Sequence, residues 1–242
     1  MRRQLCYLFV GLLLFPAISR GDEAKAKKLI EQSLKATGGA EKIAKVPAST
    51  FKERGTYYGQ GDGLPYEGVY SVHLPDKFSM EIQGVFKLVF NAKQGWTRMG
   101  NETKEMTADE LAIQKGNAYH GWVASLLPLK DKDFKLSYFG IEKIDGKEAE
   151  GVSVAREGRS TVTLFFDKQS HLLVKSTATA KSTEQGNKEV SEEIWYKDFK
   201  AIEGIQSPTK MLIHRDGKKF VESEVFDEVR HEKLDDSLFA KP

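Results

Sequence analysis

The sequence predicts a mainly β protein of the α+β class: one large antiparallel sheet, a helix near the N-terminus and a helical segment inserted between strands. Three observations predict this class. From Thr50 onward apolar and polar residues alternate, turn-forming pairs separate the alternating runs, and two stretches have helical spacing instead. Alternation with period two is typical of strands that have one buried face and one solvated face.

The first 21 residues have the three parts of a secretory signal peptide. Arg2 and Arg3 form a basic head, residues 5–15 are almost wholly apolar, and small residues follow up to Gly21. An apolar run of about 11 residues is too short to cross roughly 30 Å of hydrocarbon, which argues against the alternative of an uncleaved anchor. We therefore expect cleavage after Ser19 or Gly21, a single domain over residues 22–242, and a periplasmic or secreted protein.

Two helices are predicted before the first strand. Residues 24–36 place Leu29, Ile30 and Leu34 along one face, and Gly38-Gly39 ends the helix because glycine tolerates left-handed backbone. A shorter helix over residues 40–45 stops before Pro47.

The strands follow in hairpin succession, and we expect about ten or eleven of them in an antiparallel sheet. The alternation is clear where Phe78, Met80 and Ile82 are interleaved with polar residues, and again at Phe86, Leu88 and Phe90. The turn signals are Gly61-Asp62-Gly63, Pro75-Asp76, Asp145-Gly146, Glu203-Gly204 and Asp216-Gly217.

One helical segment interrupts the strands at residues 107–127. Thr107 and Glu110 have the spacing of a capping box, and Pro128 ends the segment. Gly116 and Gly121 weaken it, so the segment is either two short helices or one pliable helix.

Composition and motifs argue against several classes of protein. Arg2, Arg3 and Arg20 lie within residues 1–21, so the remaining chain has 34 Lys plus Arg against 35 Asp plus Glu, and no basic surface for nucleic acid. Cys6 is the only cysteine and lies in the signal, which leaves no disulfide, thiolate nucleophile or Cys-based metal site. The lysines of residues 25–28 are either a transient membrane contact or, more commonly, a solvated helix face.

No catalytic motif is present, so we expect no enzyme activity, metal or cofactor. The five histidines lack metal-ligand spacing, and there is neither a Gly-x-Ser-x-Gly elbow nor a phosphate-binding loop. Many carboxylates alternate with apolar residues, and we expect them on solvated strand faces rather than in acid/base pairs. The set is Glu189, Glu192, Glu193, Glu222 and Glu224.

Several short stretches together resemble the LolA/LolB-like superfamily of lipoprotein localisation factors. The stretches, which span nearly the whole chain after residue 21, are residues 75–81, the hairpin 91–96 that ends in Trp96, the hairpin 166–175, residues 196–210 and the tail 234–239. The resemblance implies an unclosed antiparallel β-barrel with helices that plug its concave side. In the carriers that cavity holds the acyl chains of a lipoprotein. One departure is Leu74, which stands where the carriers have a basic residue that helps to hold a helical lid.

The concave side would be both the core and the place where a lipid lies, so its apolar residues are the candidate site. Thioether and aromatic side chains adapt to flexible chains, which favours methionine and aromatic residues there. The candidates are Phe78, Met80, Ile82, Phe86, Leu88, Phe90, Trp96 and Trp122. We expect Trp96 to face the same space as Trp122, and Trp122 to seal a lid over the pocket.

Three functional interpretations remain from the sequence. The favoured one is an exported soluble protein that binds a hydrophobic or lipidated ligand, a lipidated protein included, as a lipid carrier does. The second is a non-catalytic scaffold or interaction module whose cavity is plugged. The third, an exported hydrolase, has no motif to support it.

Overall fold

The structure is a computed structural model and describes residues 20–242. The interpretation of residues 1–21 as a signal peptide falls almost wholly outside this range. No helix in residues 20–242 is long and apolar enough to cross a membrane.

Three helices lie where the sequence predicts them. They are α1 (Arg20–Thr37), α2 (Ala40–Lys45) and α3 (Ala108–Ala124). Gly38 and Gly39 separate the first two with φ of 136° and 92°, as expected for a glycine stop. The capping box at Thr107 is confirmed: its backbone N–H donates to Glu110 Oε2 at 2.8 Å, and its Oγ1 accepts from the Glu110 N–H at 3.2 Å. The insertion is therefore one helix, followed by a 3-10 turn at Leu127–Lys130.

The described residues form thirteen strands, more than the sequence indicated, in a mainly β, antiparallel arrangement. Two short strands at one edge, Gly95–Met99 and Glu102–Glu105, carry little apolar alternation, which explains the undercount. The strands are β1 Ala48–Tyr57, β2 Leu64–His73, β3 Lys77–Ile82, β4 Phe86–Phe90, β5 Gly95–Met99, β6 Glu102–Glu105, β7 Lys135–Ile144, β8 Lys147–Ala155, β9 Val162–Asp167, β10 Leu173–Ser182, β11 Lys188–Ile202, β12 Ile205–Arg215 and β13 Lys218–His231.

All thirteen strands belong to a single sheet that does not close. The order is β6-β5-β4-β3-β2-β1-β13-β12-β11-β10-β9-β8-β7, so β1 pairs with β13 at the centre and β6 and β7 are the edges. Hairpins connect most neighbours, and the five turn signals predicted from the sequence all lie between strands.

The three helices pack on one face of the sheet, which we call the helix face. Leu29, Ile30 and Leu34 of α1 and Val123 of α3 are buried in one core together with Leu164 of β9. This core lies over the β7–β10 part of the sheet, and Ile205 of β12 extends it. The helices therefore cover one side of the helix face much more than the other.

The C-terminal tail, residues 232–242, packs on the opposite face, which we call the tail face. Leu234 and Phe239 are buried against Ala48, Val89 and Trp96. Two hydrogen bonds also hold the tail. Asn91, which follows β4, donates from Nδ2 to the Phe239 carbonyl at 3.1 Å, and Thr103 of β6 donates from Oγ1 to the Pro242 carbonyl at 3.3 Å. The tail thus covers β3–β6 on the side that the helices do not occupy.

We predict that Phe239→Ala lowers the free energy of unfolding by about 3–5 kcal/mol, the usual cost of emptying a buried phenylalanine site. Phe239 is 1% exposed, whereas its neighbour Leu238 is 40% exposed. Leu238→Ala is the matched control and should change stability by less than about 0.5 kcal/mol. Urea unfolding of both variants checks this, and equal effects would show that the tail does not anchor β3–β6.

Candidate ligand-binding site

A cavity of about 350 Å³ lies on the helix face, between the helices and the central strands. Its walls come from β1, β10, β11, β12 and β13, and its roof from the ends of α1, α2 and α3. The apolar lining residues are Ile43, Phe51, Ala124, Leu126, Leu173, Ile194, Tyr196, Phe199, Ile205, Pro208, Met211, Ile213 and Val225. The cavity is therefore a mainly apolar cleft of the kind that takes small amphipathic ligands.

Two irregularities in the strands widen the set of side chains that reach the cavity. Asp198 in β11 and Asp227 in β13 have left-handed backbone, with φ of 53° and 51°. Such a residue interrupts the strict alternation of a strand, so residues of opposite parity can face the same side. The pairs that line the cavity from either side of these positions are Tyr196 with Phe199 and Val225 with Glu228.

One end of the cavity is polar. Glu228 and Arg230 line it there, and the Arg230 Nε lies 2.6 Å from the Glu228 Oε1. Arg230 also donates from Nη2 to the Ser207 Oγ at 2.8 Å. The cavity thus combines long apolar walls with a charged pair at one end.

Beyond the cavity, an apolar floor continues across β3 and β4 on the same face. The register pairs Phe78 with Phe90, Met80 with Leu88 and Ile82 with Phe86, so the six candidates from these strands lie together. None of them lines the cavity itself. Leu88 and Phe90 are buried and the other four are half-buried.

An aromatic chain connects the cavity to this floor. Phe51, which lines the cavity, stacks on Tyr70 with ring centroids 4.8 Å apart. Tyr70 contacts Phe78 edge to face at 6.3 Å, and Phe78 stacks on Phe90 at 5.6 Å. The six predicted residues therefore extend the cavity rather than enclose it.

Trp96 lies on the other face of the sheet, so the expectation that it faces the same space as Trp122 was wrong. It pairs with Val89, which alternates with the floor residues Leu88 and Phe90 and so points away from them. The Trp96 ring is buried under the C-terminal tail with Val89 and Phe239. A shift of one residue in a strand moves a side chain to the opposite face, and the hairpin turn sets that register.

Trp122 lies at the far side of α3 from the cavity, so the expectation that it seals the pocket was also wrong. Its ring is 5.7 Å from the ring of Phe134 and 6.0 Å from that of Tyr119, and the Arg156 guanidinium stands 5.6 Å above it. The roof is formed by the smaller residues of the same helix end, which are Gly121, Ala124, Ser125 and Leu126.

Leu74, which stands where the carriers have a basic residue, lies close to Gly121 of α3. A Cβ placed on Gly121 would lie 3.5 Å from the Leu74 Cδ1. The side chain that precedes β3 therefore still faces the helix that roofs the cavity.

A buried polar cluster ties α3 to the sheet. His120 Nδ1 lies 3.1 Å from Glu192 Oε1, and its Nε2 lies 2.8 Å from the Ser176 Oγ. Ser176 Oγ is also 2.9 Å from the Tyr196 hydroxyl, and Arg215 Nε donates to Glu192 Oε2 at 3.0 Å. Glu192, expected on a solvated strand face, is instead buried.

The cluster determines the charge state of Glu192. Burial raises the pKa of a carboxyl group, but here the hydrogen bond and charge of His120 and the charge of Arg215 outweigh it. The pKa of Glu192 is therefore lowered below its ordinary value of 4.5, and the buried carboxylate is ionised at neutral pH.

Ser176, His120 and Glu192 are connected in the same order as a hydrolase triad, but the nucleophile is inaccessible. Ser176 is 0% exposed, and its hydroxyl is also bonded to Tyr196. A substrate carbonyl cannot approach the Oγ in this arrangement. The geometry supports a structural connection between helix and sheet.

A second buried carboxyl group lies in β1, beside the apolar floor. Glu53 accepts hydrogen bonds from the hydroxyls of Tyr66 and Tyr70, the latter at 3.2 Å. Burial raises the pKa of Glu53, and the two phenol hydrogen bonds only partly offset that effect. No group of three or more potential metal ligands occurs within residues 20–242, and Glu53 has phenols rather than further carboxylates beside it.

The sequence gives only weak indications of the strand irregularities and of the buried carboxyl groups. Asp198, Asp216 and Asp227 have positive φ, and aspartate is one of the few residues that adopt it readily. Glu192 and Glu228 each follow a strand pattern that is equally compatible with solvent exposure. Only their partners in three dimensions, such as His120 and Arg230, mark them as buried.

We predict opposite pH dependences for the two buried carboxyl groups. The lowered pKa of Glu192 contributes stability above pH 4.5 that is lost as pH falls through the folded-state pKa, and Glu192→Gln should lose about 1.5–3 kcal/mol at pH 7. The raised pKa of Glu53 costs stability as pH rises from 4.5 toward the folded-state value, so Glu53→Gln should flatten that decline.

Urea unfolding at a series of pH values measures both slopes against the wild type. Two variants whose stability profiles run parallel to that of the wild type would contradict the assigned directions.

We predict that Trp122→Ala lowers the free energy of unfolding by about 3–5 kcal/mol, because its ring packs against Phe134 and Tyr119 in the core. The affinity for an apolar probe should stay within about twofold of the wild type, since the ring does not line the cavity. Unfolding and probe titration are measured on the same preparation. A large loss of probe affinity with unchanged stability would restore Trp122 as a lid residue.

Comparisons with solved structures identify the fold. A LolA superfamily protein, NE2245 from Nitrosomonas europaea, is 13% identical, with a TM-score of 0.56 over 89% of this chain and 97% of that one. A DUF1329 family protein from Desulfovibrio piger is 12% identical, with a TM-score of 0.59 over 90% and 98%. An outer membrane lipoprotein-sorting protein domain from Vibrio parahaemolyticus is 9% identical, with a TM-score of 0.54 over 90% and 97%.

No protein-family model matches the sequence, and a comparison with curated proteins finds no match. At these identities the similarity shows the fold alone. The resemblance noted from the sequence is confirmed at that level: the chain has the open antiparallel β-barrel fold of LolA-like proteins.

Proposed function

We propose that this protein is an exported, non-enzymatic binding protein that holds a hydrophobic or lipidated ligand on the helix face of its open sheet. The supporting observation is a continuous apolar surface, made of the cavity and of the floor on β3 and β4. A mainly apolar cavity that continues into a partly exposed apolar surface commonly marks a binding site.

The incomplete helical cover supports this proposal. In β8 and β9, residues such as Val152 and Leu164 are fully buried beneath α1 and α3. Phe78, Met80 and Phe86, at the other side of the same face, keep part of their surface exposed. A ligand chain that entered the cavity and extended along the floor would bury that remaining apolar surface, at about 25 cal/mol per Å².

Residue roles follow from this arrangement. Met211, Ile213 and Ile194 would hold the part of the ligand in the cavity, and the six floor residues would contact the part outside it. The fold likeness to a lipoprotein-sorting protein domain is compatible with a lipidated protein as the ligand. A cleaved signal at residues 1–21 and a transient membrane contact through the lysines of residues 25–28 complete the proposal.

A second candidate, the interaction module, is favoured by one feature. The edge strand β7 pairs only with β8, and it exposes Phe139 and Ile141 at 52% and 50%. Edge strands can accept a strand from a partner protein. In that case the cavity would bind no apolar probe.

We predict that Met211→Trp, which inserts a larger ring into the cavity, weakens the binding of a fluorescent fatty-acyl probe by about tenfold or more, which corresponds to about 1.4 kcal/mol. Leu212→Trp is the matched control. The neighbouring residue pairs with Trp195 and points to the other face, so its substitution should leave affinity within about twofold.

Fluorescence titration of the two variants and the wild type, with urea unfolding to verify folding, tests this proposal. Lack of saturable binding by the wild type would reject ligand binding and favour the interaction module. Equal effects of the two substitutions would place the binding surface elsewhere.

A further inference from the structure

We propose that the cavity selects a single-chain amphiphile whose head group carries both a negative and a positive charge, and that the Arg230–Glu228 pair reads that head group. This inference rests on the proposed function of the cavity and adds the chemical class of its ligand.

The lining of the cavity contains one pair of opposite charges. Glu228 and Arg230 are the only charged residues among those that line the cavity. Their side chains are 7% and 22% exposed, and the Arg230 Nε is 2.6 Å from the Glu228 Oε1. By contrast, Glu224 of the same strand forms an ion pair with Arg54 in which both side chains are exposed to solvent.

This ion pair leaves donor positions on Arg230 and acceptor positions on Glu228 for a ligand. Arg230 donates one hydrogen bond to Ser207 and lies beside Glu228, while a guanidinium carries further N–H donors in a planar fork. It can therefore receive a phosphate or carboxylate oxygen without releasing both of these partners. Glu228 is a carboxylate with acceptor positions on two oxygens, so it can receive an ammonium group.

The contact between the two charges favours a head group that carries both signs. A head group of one sign would be attracted by one member of the pair and repelled by the other, because the two charges are in contact. A zwitterionic head group can place its anionic part beside Arg230 and its cationic part beside Glu228. Complementary potentials of this kind give specificity by penalising the wrong ligand.

The volume of the cavity limits the size of the ligand. The cavity of about 350 Å³ lies at the small end of the range of about 300–1,000 Å³ that is usual for ligand pockets. Apart from the charged pair its lining is mainly apolar, and the polar residues in it are Thr37, Ser49, Ser125 and Gln206. A cavity of this size holds a head group and part of one acyl chain, with the rest of the chain on the floor of β3 and β4, and a lysophospholipid with an ethanolamine head group has this chemistry.

The experiment compares three ligands of equal chain length, all below their critical micelle concentrations: a lysophosphatidylethanolamine, a fatty acid and a primary alkylammonium salt. Each displaces a fluorescent acyl probe from the wild type, Glu228→Gln, Arg230→Gln and the control Glu224→Gln. Glu224 lies on the same strand in an exposed ion pair, so its substitution should leave the ranking unchanged.

The wild type should bind the zwitterion at least about tenfold more tightly than either singly charged ligand, a difference of about 1.4 kcal/mol. Glu228→Gln should shift the preference toward the fatty acid, and Arg230→Gln should shift it toward the alkylammonium ion. These opposite shifts cannot result from a general loss of folding, and the wild-type ranking requires no substitution.

The outcomes separate this inference from the proposed function. Wild-type protein that binds none of the ligands would reject the proposed function itself. Wild-type protein that binds all three equally, or prefers the fatty acid, would retain apolar binding and overturn the selection by Arg230 and Glu228.

Discussion

The helices bury one half of the apolar helix face and leave the other half partly exposed. Most of the architecture follows from this unequal burial. α1 packs on β7, β8 and β12, and α3 packs on β9 and β10. The strands beneath them have fully buried side chains, whereas the face of β3 and β4 stays partly open. The C-terminal tail stabilises that less covered half from behind, where it packs on Val89 and Trp96. The sheet can thus keep an accessible apolar surface and remain folded.

Polar groups on the helix face are compensated in three different ways. The Glu192 carboxylate accepts a hydrogen bond from Arg215 and lies 3.1 Å from the His120 Nδ1, and the cluster joins α3 to β10 and β11. Glu53 has hydroxyl groups but no charged group beside it, so burial raises its pKa and its proton is retained to higher pH. Glu228 is paired with Arg230 at the end of the cavity. A buried charge is costly unless it is paired and hydrogen-bonded; Glu192 and Glu228 have cationic side chains beside them, whereas Glu53 has none and its pKa is raised instead.

The sequence predicted those features that depend on local pattern. Helix ends were correct where a capping box or a glycine pair marks them, and the alternation at β3 and β4 placed six apolar residues together on the helix face. Features that depend on register or on bulges were not predicted. Trp96 has the right spacing for a strand, but its hairpin turn places it on the tail face. The cavity depends on Asp198 and Asp227, where left-handed residues interrupt the alternation.

Long-range partners explain the remaining differences. Glu192 and Glu228 look like solvated strand residues until the chain brings His120 and Arg230 to them. In the sequence Trp122 falls on one apolar stripe with Leu111, Ala118 and Leu126, but that stripe is wide enough to face the core on one side and the cavity on the other. The sequence does not show which side of the stripe each residue occupies.

The pairing of β1 with β13 also determines when the protein can fold. The Thr50 Oγ1 and the His231 Nε2 are 2.9 Å apart and belong to residues separated by 181 positions in the sequence. Folds dominated by such distant contacts form slowly, because a long loop must close before the contact is gained. The centre of the sheet cannot assemble until residues 218–231, which form β13, have been synthesised. The nascent chain therefore lacks its central strand pairing until β13 has been made, and the two halves of the sheet remain unjoined until then.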